Sequence, residues 1–347
     1  MNVHKKYMQR CIQLAQNGLG TTYPNPLVGS VIVLNDEIIG EGWHLQAGQA
    51  HAEVNAIQSV TDQSRLSEAT IYVNLEPCSH FGKTPPCAHL IIQKGIKKVV
   101  VGSKDPNPKV SGKGIQKLME AGCEVIQGVL EYDCDQLNKR FFSYHSKKRP
   151  YIFLKWAQTT NGFIAPLTRD SQNPVWITES YARQLTHKLR AQEQAILVGA
   201  NTVVADNPSL TTRNWEGPSP VRVVLDPNLK IEKNSQVYDQ EVKTIIITSQ
   251  PIENQSHLIF EPIDFSKNVG LQICDVLIKH QLQSVIIEGG AQTLQTFIDE
   301  ELWDEALVFT GNTTFESGIE APKLKRDLVS EELIGPDKLT HYKNTTH

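Results

Sequence analysis

The chain has 347 residues, of which 39% are hydrophobic and 21% are charged, with 34 Lys and Arg residues against 38 Asp and Glu residues. Domains usually contain ~100–200 residues, so this length predicts two domains. The formal net charge of −4, without any long basic run, argues against a nucleic-acid-binding protein, because such proteins bind phosphates through a basic surface.

The apolar segments and the cysteines indicate the cellular setting. The longest apolar runs, such as Ile245–Ile247, have the length of a strand and fall far short of the ~20 residues that span a bilayer. The first residues include two lysines but no apolar signal segment behind them, so we expect a cytoplasmic protein. The six cysteines do not suggest a disulfide framework, and in a reducing compartment clustered cysteines indicate metal binding or catalysis.

The first part of the chain predicts an amphipathic helix, a hairpin and then alternating strands and helices. The predicted helices are residues 4–17, His51–Val60, Cys87–Lys94, Gly114–Gly122 and Tyr132–His145. The predicted strands are Leu27–Leu34, Glu37–His44, Ile71–Leu75, Lys98–Gly102 and Glu124–Val129. Alternation of strands and helices after a hairpin predicts a mixed three-layer α/β domain.

The segment His145–Pro150 is charged, ends in proline and lacks periodic apolar residues, which is typical of an exposed domain boundary. We therefore predict domains at residues 1–146 and 150–347, the second also α/β. Its predicted strands are Tyr151–Ala157, Ala195–Val198, Val221–Leu225, Thr244–Thr248, Ser284–Ile287 and Ala306–Phe309, and its predicted helices are Thr178–Arg190, Leu271–His280 and Ala291–Glu300. Residues 310–347 carry no chemical motif, and we expect the last few to fray.

Three residues of the first domain have the chemistry of zinc ligands. His51 opens a predicted helix, Cys78 follows a predicted strand, and Cys87 begins another helix, whose dipole favours a thiolate. Zinc binds imidazole nitrogen and thiolate sulfur tetrahedrally, and a catalytic site leaves one of its four positions to water. One histidine and two cysteines leave that position open, and Glu53, two residues from His51, is the obvious acid/base group.

An alternative reading of these residues is a closed structural zinc site, which needs four protein ligands. His80 or His89 would then be the fourth ligand, and Glu53 would have no chemical role. The remaining cysteines, Cys11, Cys123, Cys134 and Cys274, are expected to pack as small apolar residues.

The first domain resembles the zinc nucleobase deaminases, whose signature is H-x-E followed by P-C-x-x-C. Its longer spacing, Cys78-x8-Cys87, is similar to that of the deaminase half of the bifunctional riboflavin-biosynthesis deaminase–reductases. Further matching motifs are Pro24-Asn-Pro-Leu-Val-Gly29, Gly42-Trp-His44, Leu75-Glu-Pro-Cys78 and Lys104-Asp-Pro-Asn107. The resemblance implies a cytidine-deaminase-like fold with zinc held by His51, Cys78 and Cys87. It also implies that Glu53 transfers protons and that Asn25, His44 and Lys83 contact a diaminopyrimidinone bearing a ribosylamino 5-phosphate.

Residues 151–309 resemble the reductase half of the same family, whose fold is similar to that of dihydrofolate reductase. The matching motifs are Trp176-Ile-Thr178, His187-Lys-Leu-Arg-Ala191, Ala195-Ile-Leu-Val-Gly199, Asp206-Asn-Pro-Ser-Leu210 and Glu288-Gly-Gly290. The resemblance implies reduction of the ribosylamine to a ribityl chain by NADPH, in a homo-oligomer. The substrate ligands that it implies are Lys155, Arg190, Leu210, Arg213 and Glu288, and the cofactor ligands are Ala157, Trp176, Thr202, Asp206, Gly289 and Gly290.

Several of these residues also have a physical reading. A Gly-Gly pair between a strand and a helix lets the backbone approach a ligand, while the free N–H groups of the helix bind phosphate. Arg190 and Arg213 could grip a phosphate as bidentate forks. Without the resemblance, however, Arg190 would be read as a solvated charge and Trp176 as core packing. Which residue assists opening of the ribose ring stays open.

Two departures from the reductase pattern concern Asn161, where aspartate is usual, and Pro174, where a substrate-binding serine is usual. Two other functions predict different features. A nucleoside or tRNA deaminase with a degenerate second domain predicts the short Cys-x-x-Cys spacing and a basic face, which the chain lacks. A non-catalytic zinc-stabilised binding protein would tolerate the loss of the Glu53 carboxylate.

Overall fold

The computed structural model describes residues 3–79, 85–108, 110–168, 175–326 and 328–345. The chain divides into two compact units, Met1–Lys148 and Arg149–His347. Within the described residues, no helix reaches the length and apolarity needed to cross a lipid bilayer.

The first unit is built around a five-stranded sheet. Its strands are β1 (Gly29–Leu34), β2 (Glu37–Trp43), β3 (Thr70–Leu75), β4 (Lys98–Ser103) and β5 (Glu124–Gln127). The described helices are α1 (Val3–Gln16), α2 (Ala52–Ser59), α3 (Cys87–Gln93), α4 (Lys113–Glu120), α5 (Glu131–Leu137) and α6 (Lys139–Phe142). The strand order is β2-β1-β3-β4-β5; β1 runs antiparallel to β2 and β3, and β3, β4 and β5 run parallel.

Both faces of this sheet are covered by helices. Because side chains alternate along a strand, Val31 and Tyr72 lie on one face with Tyr7 of α1, while Ile32 and Ile71 lie on the other face. On that second face they pack against α2, α3 and α4 through a cluster that includes Ala56, Ile91 and Leu118. The expected three-layer α/β architecture is confirmed.

The helix predicted over Tyr132–His145 is present but divided into α5, α6 and a third short segment. The helix is interrupted at Asn138, which has φ −97° and ψ 19°, and residues Ser143–Lys147 form a wider π-type turn. The Asn138 side chain instead holds the backbone of Leu27: its Oδ1 accepts the Leu27 N–H at 2.8 Å and its Nδ2 donates to the Leu27 carbonyl at 2.9 Å. Helical backbone bonds are still formed by Asn138, from its N–H to the Cys134 carbonyl and from the Phe142 N–H to its own carbonyl, so its side chain adds a long-range contact to the helical segment.

The second unit contains a nine-stranded sheet and a two-stranded ribbon. Its strands are β6 (Tyr151–Gln158), β7 (Phe163–Pro166), β8 (Ala195–Gly199), β9 (Val221–Leu225), β10 (Thr244–Thr248), β11 (Leu258–Pro262), β12 (Ser284–Ile287), β13 (Glu305–Thr310), β14 (Gly318–Glu320), β15 (Leu328–Ile334) and β16 (Asp337–Lys343). Its described helices are α7 (Ser180–Gln192), α8 (Ala200–Asp206), α9 (Val269–Lys279) and α10 (Ala291–Asp299). The sheet order is β11-β10-β9-β8-β12-β6-β13-β16-β15, and β14 pairs with β7.

In sheet order, the strands β11, β10, β9, β8, β12, β6 and β13 run parallel to one another. The hairpin of β16 and β15 continues the sheet, with β16 antiparallel to β13. The sequence did not predict this hairpin, β11, the β7–β14 ribbon or α8. The reason is clearest at β15, whose residues are exposed along almost its whole length. It therefore has no apolar alternation to signal a strand.

The expectation that the whole of His145–Pro150 is exposed is wrong at its end. Residues 146–148 are exposed, but Arg149 is only 7% exposed. Its guanidinium donates to both carboxylate oxygens of Asp304 at 2.6 and 2.8 Å. A charged residue that ends a linker pattern is here buried because a partner far along the chain neutralises it.

Candidate active sites

The first candidate site is formed by His51, Cys78 and Cys87, whose ligand atoms all lie within 4.8 Å of one another. His51 immediately precedes α2, Cys78 lies in the segment after β3, and Cys87 is the first residue of α3. The Nδ1 atom of His51 lies 3.3 Å from Sγ of Cys87 and 3.6 Å from Sγ of Cys78. Ligands at ~2.0–2.3 Å from a tetrahedral zinc ion are ~3.5 Å apart, so this donor set fits zinc.

The two thiols are electrostatically linked. The Cys87 side chain hydrogen-bonds to the sulfur of Cys78 and lowers the pKa of Cys78, with a further contribution from His51. The same shared proton raises the pKa of Cys87. The backbone N–H of Cys87 also donates to the Cys78 sulfur at 3.2 Å. Zinc binds thiolates, so metal binding at this pair must release the shared proton.

Within the described part of the chain, the metal-type cluster contains these three residues, and His89 is not among them. His80, the other alternative fourth ligand, lies outside the described residues. Glu53 stands beside the cluster on α2 and is only 3% exposed. Burial, and then the nearby charge of Cys78, raise the pKa of Glu53 to about 7. A carboxyl group with such a pKa can both accept and donate a proton near neutral pH.

Asn25 and His44 are brought together next to this cluster. The ring centroids of His44 and His51 lie 5.5 Å apart, and the two rings meet edge to face. Nδ2 of Asn25 lies 3.0 Å from Nε2 of His44, and Nδ1 of His44 lies 3.0 Å from the Ala50 carbonyl. Because the amide donates to Nε2, the imidazole proton is on Nδ1 and donates to Ala50. Lys83, the third expected substrate contact of this domain, lies outside the described residues.

The segment that carries Cys78 is braced against α4, mainly by Glu76. The buried Glu76 carboxylate accepts the backbone N–H groups of Gly112 and Gly114, each at 2.8 Å. Lys117 donates to the Ser79 carbonyl at 2.6 Å. A Cβ atom on Gly114 would lie 1.9 Å from the Pro77 carbonyl oxygen, so only glycine allows this approach. Cys78 is thus fixed by contacts on both sides of it.

The second candidate site lies where parallel strands of the large sheet end, the usual place for ligands in α/β sheets. Glu288 directly follows β12, Lys155 projects from the neighbouring β6, and Arg190 extends from the last turn of α7. Nε and Nη2 of Arg190 donate to the two carboxylate oxygens of Glu288 at 3.3 and 2.7 Å. The Glu288 carboxylate therefore occupies one edge of the arginine fork that the sequence predicted to bind phosphate.

The charges of this cluster set the protonation states of its members. Although burial opposes it, Arg190 and then Lys155 lower the pKa of Glu288 to about 2. Burial lowers the pKa of Lys155, which Glu288 partly offsets. With Arg213, whose guanidinium lies close enough to Arg190 for the two charges to interact, the cluster holds three cationic groups and one carboxylate. Its formal charge of +2 matches a phosphate monoester dianion.

Arg213 and Leu210 lie on the loop after α8. Nη1 of Arg213 hydrogen-bonds to the hydroxyl groups of Ser209 and Thr211, so hydroxyl and guanidinium groups meet on one side of this loop. Leu210 is buried and has a φ of +57°, a conformation that costs a residue other than glycine ~1–2 kcal/mol. Such strained residues cluster at binding sites.

The expected cofactor residues Thr202, Gly289 and Gly290 also lie together. A Cβ atom on Gly289 would lie 3.0 Å from the Thr202 hydroxyl oxygen, and Gly290, with φ +73°, would place one 3.6 Å from it. Gly199 and Gly290 are the N-cap residues of α8 and α10, and as glycines they have no side chain that could accept the first N–H groups of these helices. The free N–H groups of two neighbouring helix ends fit the pyrophosphate of a dinucleotide.

Trp176 is 61% exposed, so it does not pack in the core. The guanidinium of Arg183 lies over the Trp176 ring, 4.6 Å from the ring centroid. Ala157 lies near the end of β6, and Asp206 ends α8, the helix that the sequence did not predict. Asn161, in the turn between β6 and β7, donates to the carbonyl of Phe315, in the segment between β13 and β14, at 2.7 Å. Pro174 lies outside the described residues.

Sequence reasoning assigned no role to three residues that shape these sites: Glu76, Asn138 and His187. Glu76 and His187 occur inside the motifs quoted above, but a motif does not show which of its members touches a ligand. Asn138 had no signal at all, since its partner Leu27 is 111 residues away.

Comparison with known proteins places a separate family match on each unit. Residues 1–103 match the cytidine and deoxycytidylate deaminase zinc-binding region, and residues 150–315 match the RibD C-terminal domain. The riboflavin biosynthesis protein RibD of Aquifex aeolicus is 40% identical over 336 residues, covering 95% of this chain and 93% of the relative. That of Bacillus amyloliquefaciens is 40% identical over 358 residues, covering 96% and 95%.

Solved structures agree over the whole length. A Thermotoga maritima diaminohydroxyphosphoribosylaminopyrimidine deaminase/5-amino-6-(5-phosphoribosylamino)uracil reductase is 38% identical and superposes with a TM-score of 0.89, covering 98% of both chains. Acinetobacter baumannii RibD is 34% identical, with a TM-score of 0.89 and coverage of 99% of both chains.

Proposed function

This chain belongs to the RibD family and is a bifunctional deaminase and reductase of riboflavin biosynthesis, and from that premise we propose which of its residues carry each reaction. The first unit hydrolytically deaminates 2,5-diamino-6-(5-phosphoribosylamino)pyrimidin-4(3H)-one. The second reduces the ribosyl group of 5-amino-6-(5-phosphoribosylamino)uracil to ribityl. The observation that carries the assignment is the convergence of His51, Cys78 and Cys87 beside the buried carboxyl group of Glu53.

For deamination, His51, Cys78 and Cys87 hold the zinc ion that the matched family region binds. Bound zinc supplies Lewis acidity that brings the pKa of water down to about 7. Glu53 takes one proton of the attacking water and delivers it to the ring nitrogen, then takes the second proton from the hydroxyl group of the adduct and delivers it to the leaving amine. Water oxygen replaces the amine, and ammonia leaves. The pKa of Glu53, raised by burial to about 7, suits both halves of that transfer.

Asn25 and His44 form one wall of the deaminase pocket. The Asn25 amide and the Ala50 carbonyl fix the tautomer and the orientation of the His44 ring. A neutral ring held in this way presents a defined surface to the pyrimidine. Lys83 is proposed to contact the substrate phosphate.

For reduction, the site of charge +2 formed by Lys155, Arg190, Arg213 and Glu288 binds the 5-phosphate of the substrate. Because Glu288 accepts from Nε and Nη2 of Arg190 and the Thr211 carbonyl accepts from Nη1, phosphate is proposed to bind the second N–H groups of Nη1 and Nη2, together with Arg213. Leu210 is proposed to position the substrate on the same loop.

Bound NADPH supplies the hydride that adds to the sugar carbon C1′. Its phosphates are proposed to lie at the free N–H groups of α8 and α10, with Ala157, Trp176, Thr202, Asp206, Gly289 and Gly290 as cofactor ligands. When the hydride adds, the bond between C1′ and the ring oxygen breaks and that oxygen takes a proton. Glu288, with its pKa lowered to about 2, has no proton to give at neutral pH, so Lys155 is the proposed donor.

The test of the deaminase assignment is Glu53→Gln in the full chain, with the exposed Glu68→Gln as the matched control. We expect Glu53→Gln to lower ammonia release by ~10²–10⁴-fold, the usual contribution of a general acid/base. Zinc content by mass spectrometry and NADPH oxidation with the deaminated substrate should match the control. Undiminished ammonia release would refute Glu53 as the proton carrier.

The cofactor assignment has its own test. We expect the full chain to oxidise NADPH in the presence of the deaminated substrate, measured as the loss of absorbance at the nicotinamide band. We expect Thr202→Val to raise the KM for NADPH. Oxidation of NADH with equal efficiency would contradict the proposed preference for NADPH.

A reducing, cytoplasmic setting is proposed because the cysteines are free thiols and a cysteine-ligated zinc needs them reduced. The expected homo-oligomer stays a prediction for sedimentation to test.

A further inference from the structure

His187 lies next to the proposed phosphate site but has no role in either reaction as described. It is on α7, three residues before Arg190, so both side chains project from the same face of the helix. Its side chain is buried, with the residue only 6% exposed. Its Nδ1 atom lies 3.2 Å from the backbone nitrogen of Arg213.

This hydrogen bond fixes the chemical state of the ring. A backbone N–H can only donate, so Nδ1 of His187 must be the acceptor and carries no proton. The imidazole is then neutral, with its proton on Nε2. Burial and the positive charges of Arg190, Arg213 and Lys155 lower the pKa of His187 to about 4, although Glu288 opposes this. The ring therefore keeps its acceptor at neutral pH in the middle of a cationic cluster.

The same face of α7 holds the loop at a second point. Nη1 of Arg190 donates to the Thr211 carbonyl at 3.2 Å, while His187 accepts from Arg213 two residues later. Between them, the N–H of Thr212 turns away and donates to the Ser219 hydroxyl at 3.1 Å. The backbone from 211 to 213 is therefore fixed at each residue, close to the strained φ of Leu210.

We propose that His187 is a positioning residue for the reductase: by accepting the Arg213 backbone N–H, it places the Arg213 guanidinium where the substrate's 5-phosphate binds. This inference rests on the proposed role of Arg213. A neutral acceptor is required at this position. A lysine or arginine would offer no acceptor and would add a further positive charge beside Arg190, Arg213 and Lys155.

The role predicts an order among variants that packing alone would reverse. In His187→Asn the side-chain oxygen can occupy the place of Nδ1 and accept the same N–H, whereas His187→Leu fills the buried volume but cannot accept it. We expect His187→Leu to raise the KM for the phosphorylated substrate ~10–100-fold, the scale on which misplaced binding groups act. His187→Asn should stay within ~3-fold of the parent, since it keeps the hydrogen bond.

If His187 only filled the core, leucine would be the better substitute, because a small amide in an apolar site leaves a cavity and an unsatisfied polar group. The order of the two variants would then be reversed, which would overturn the proposal. The KM for NADPH measured in parallel should be the same in both variants. A rise in both KM values together would indicate general loss of structure and would also count against it.

A second arm separates this inference from the proposed function on which it rests. The parent, Arg213→Met and His187→Leu are compared on the substrate and on its dephosphorylated form. We expect both substitutions to reduce kcat/KM for the phosphorylated substrate and to have little effect on the dephosphorylated one. If Arg213→Met has no phosphate-specific effect, the proposed function of Arg213 fails. If Arg213→Met has that effect and His187→Leu does not, the positioning role of His187 fails.

Discussion

The Nδ1 atom of His51 lies 3.3 Å from the Sγ atom of Cys87, although the two residues are 36 positions apart in the chain. They meet because α2 and α3 lie on the same face of the five-stranded sheet, in one apolar cluster, and each residue stands at the start of its helix. The ligand geometry is thus fixed by two helix starts and by the braced segment that carries Cys78.

Removing one of these donors should release the metal. We expect Cys87→Ser to lower the zinc content from about one ion per chain to a small fraction of that, because two remaining ligands hold zinc poorly. Cys123→Ser, at a buried cysteine outside the cluster, is the control and should retain zinc. Elemental mass spectrometry of the purified chains measures both. Full zinc content in Cys87→Ser would contradict the assignment of the ligands.

The brace around Cys78 should affect how tightly zinc is held. In Glu76→Gln an amide NH₂ replaces one of the two carboxylate oxygens that accept N–H groups of the α4 start, so one donor faces another. We expect zinc transfer to a chromogenic chelator to become ~10-fold faster, the lower end of the effect of supporting residues on metal affinity. Glu120→Gln, at the exposed end of α4, should behave as the parent. Equal transfer rates for all three chains would show that the brace does not act on the metal.

The Arg149–Asp304 pair should be important for the stability of the second unit. Both side chains are under 10% exposed, so Arg149→Ala leaves a buried carboxylate without its partner, a loss of ~3–5 kcal/mol in the free energy of unfolding. The exposed pair Lys338–Glu331 is the control, and Lys338→Ala should change that free energy by less than ~1 kcal/mol. Urea unfolding followed by tryptophan fluorescence reports mainly on this unit, which contains four of the five tryptophans. Equal losses in the two variants would contradict this difference.

Glu288 should make the stability of the second unit depend on pH in the acid range. Its pKa in the folded protein, about 2, is below the value of about 4.3 expected for the unfolded chain. The ionised carboxylate therefore contributes stability above pH ~4.3, about 3 kcal/mol by linkage, and this contribution is lost as the pH falls towards 2. We expect the stability difference between the parent and Glu288→Gln to be largest at pH 7 and to shrink at pH 3.

The measurement is denaturant unfolding of both chains at the two pH values, with Glu241→Gln, an exposed glutamate of the same unit, as the control. A difference between the parent and Glu288→Gln that is independent of pH would mean that the carboxylate is not stabilised by its cationic neighbours.

Much of the fold could be predicted because the buried strands carry their own signal. The hairpin of β1 and β2 and the apolar strands β8, β9, β10 and β12 were predicted close to their observed bounds. Where burial does not set the pattern, the prediction was incomplete: it missed β15, which is exposed along an edge of its sheet, and the interruption at Asn138, whose side chain binds the backbone of Leu27. Both features depend on neighbours that no local window of sequence contains.

The sequence by itself determined the chemistry available to this protein: the imidazole, thiols and carboxyl group of the zinc site, the arginines and the glycines between strand and helix. Only the tertiary structure decided how these groups act. It paired Glu288 with Arg190 in a salt bridge and made His187 the acceptor of the Arg213 backbone N–H. It also raised the pKa of Glu53 to near neutrality through burial. The reason is physical: residue type fixes which bonds a group can form, whereas its partner, its charge state and its solvation depend on segments brought together by folding.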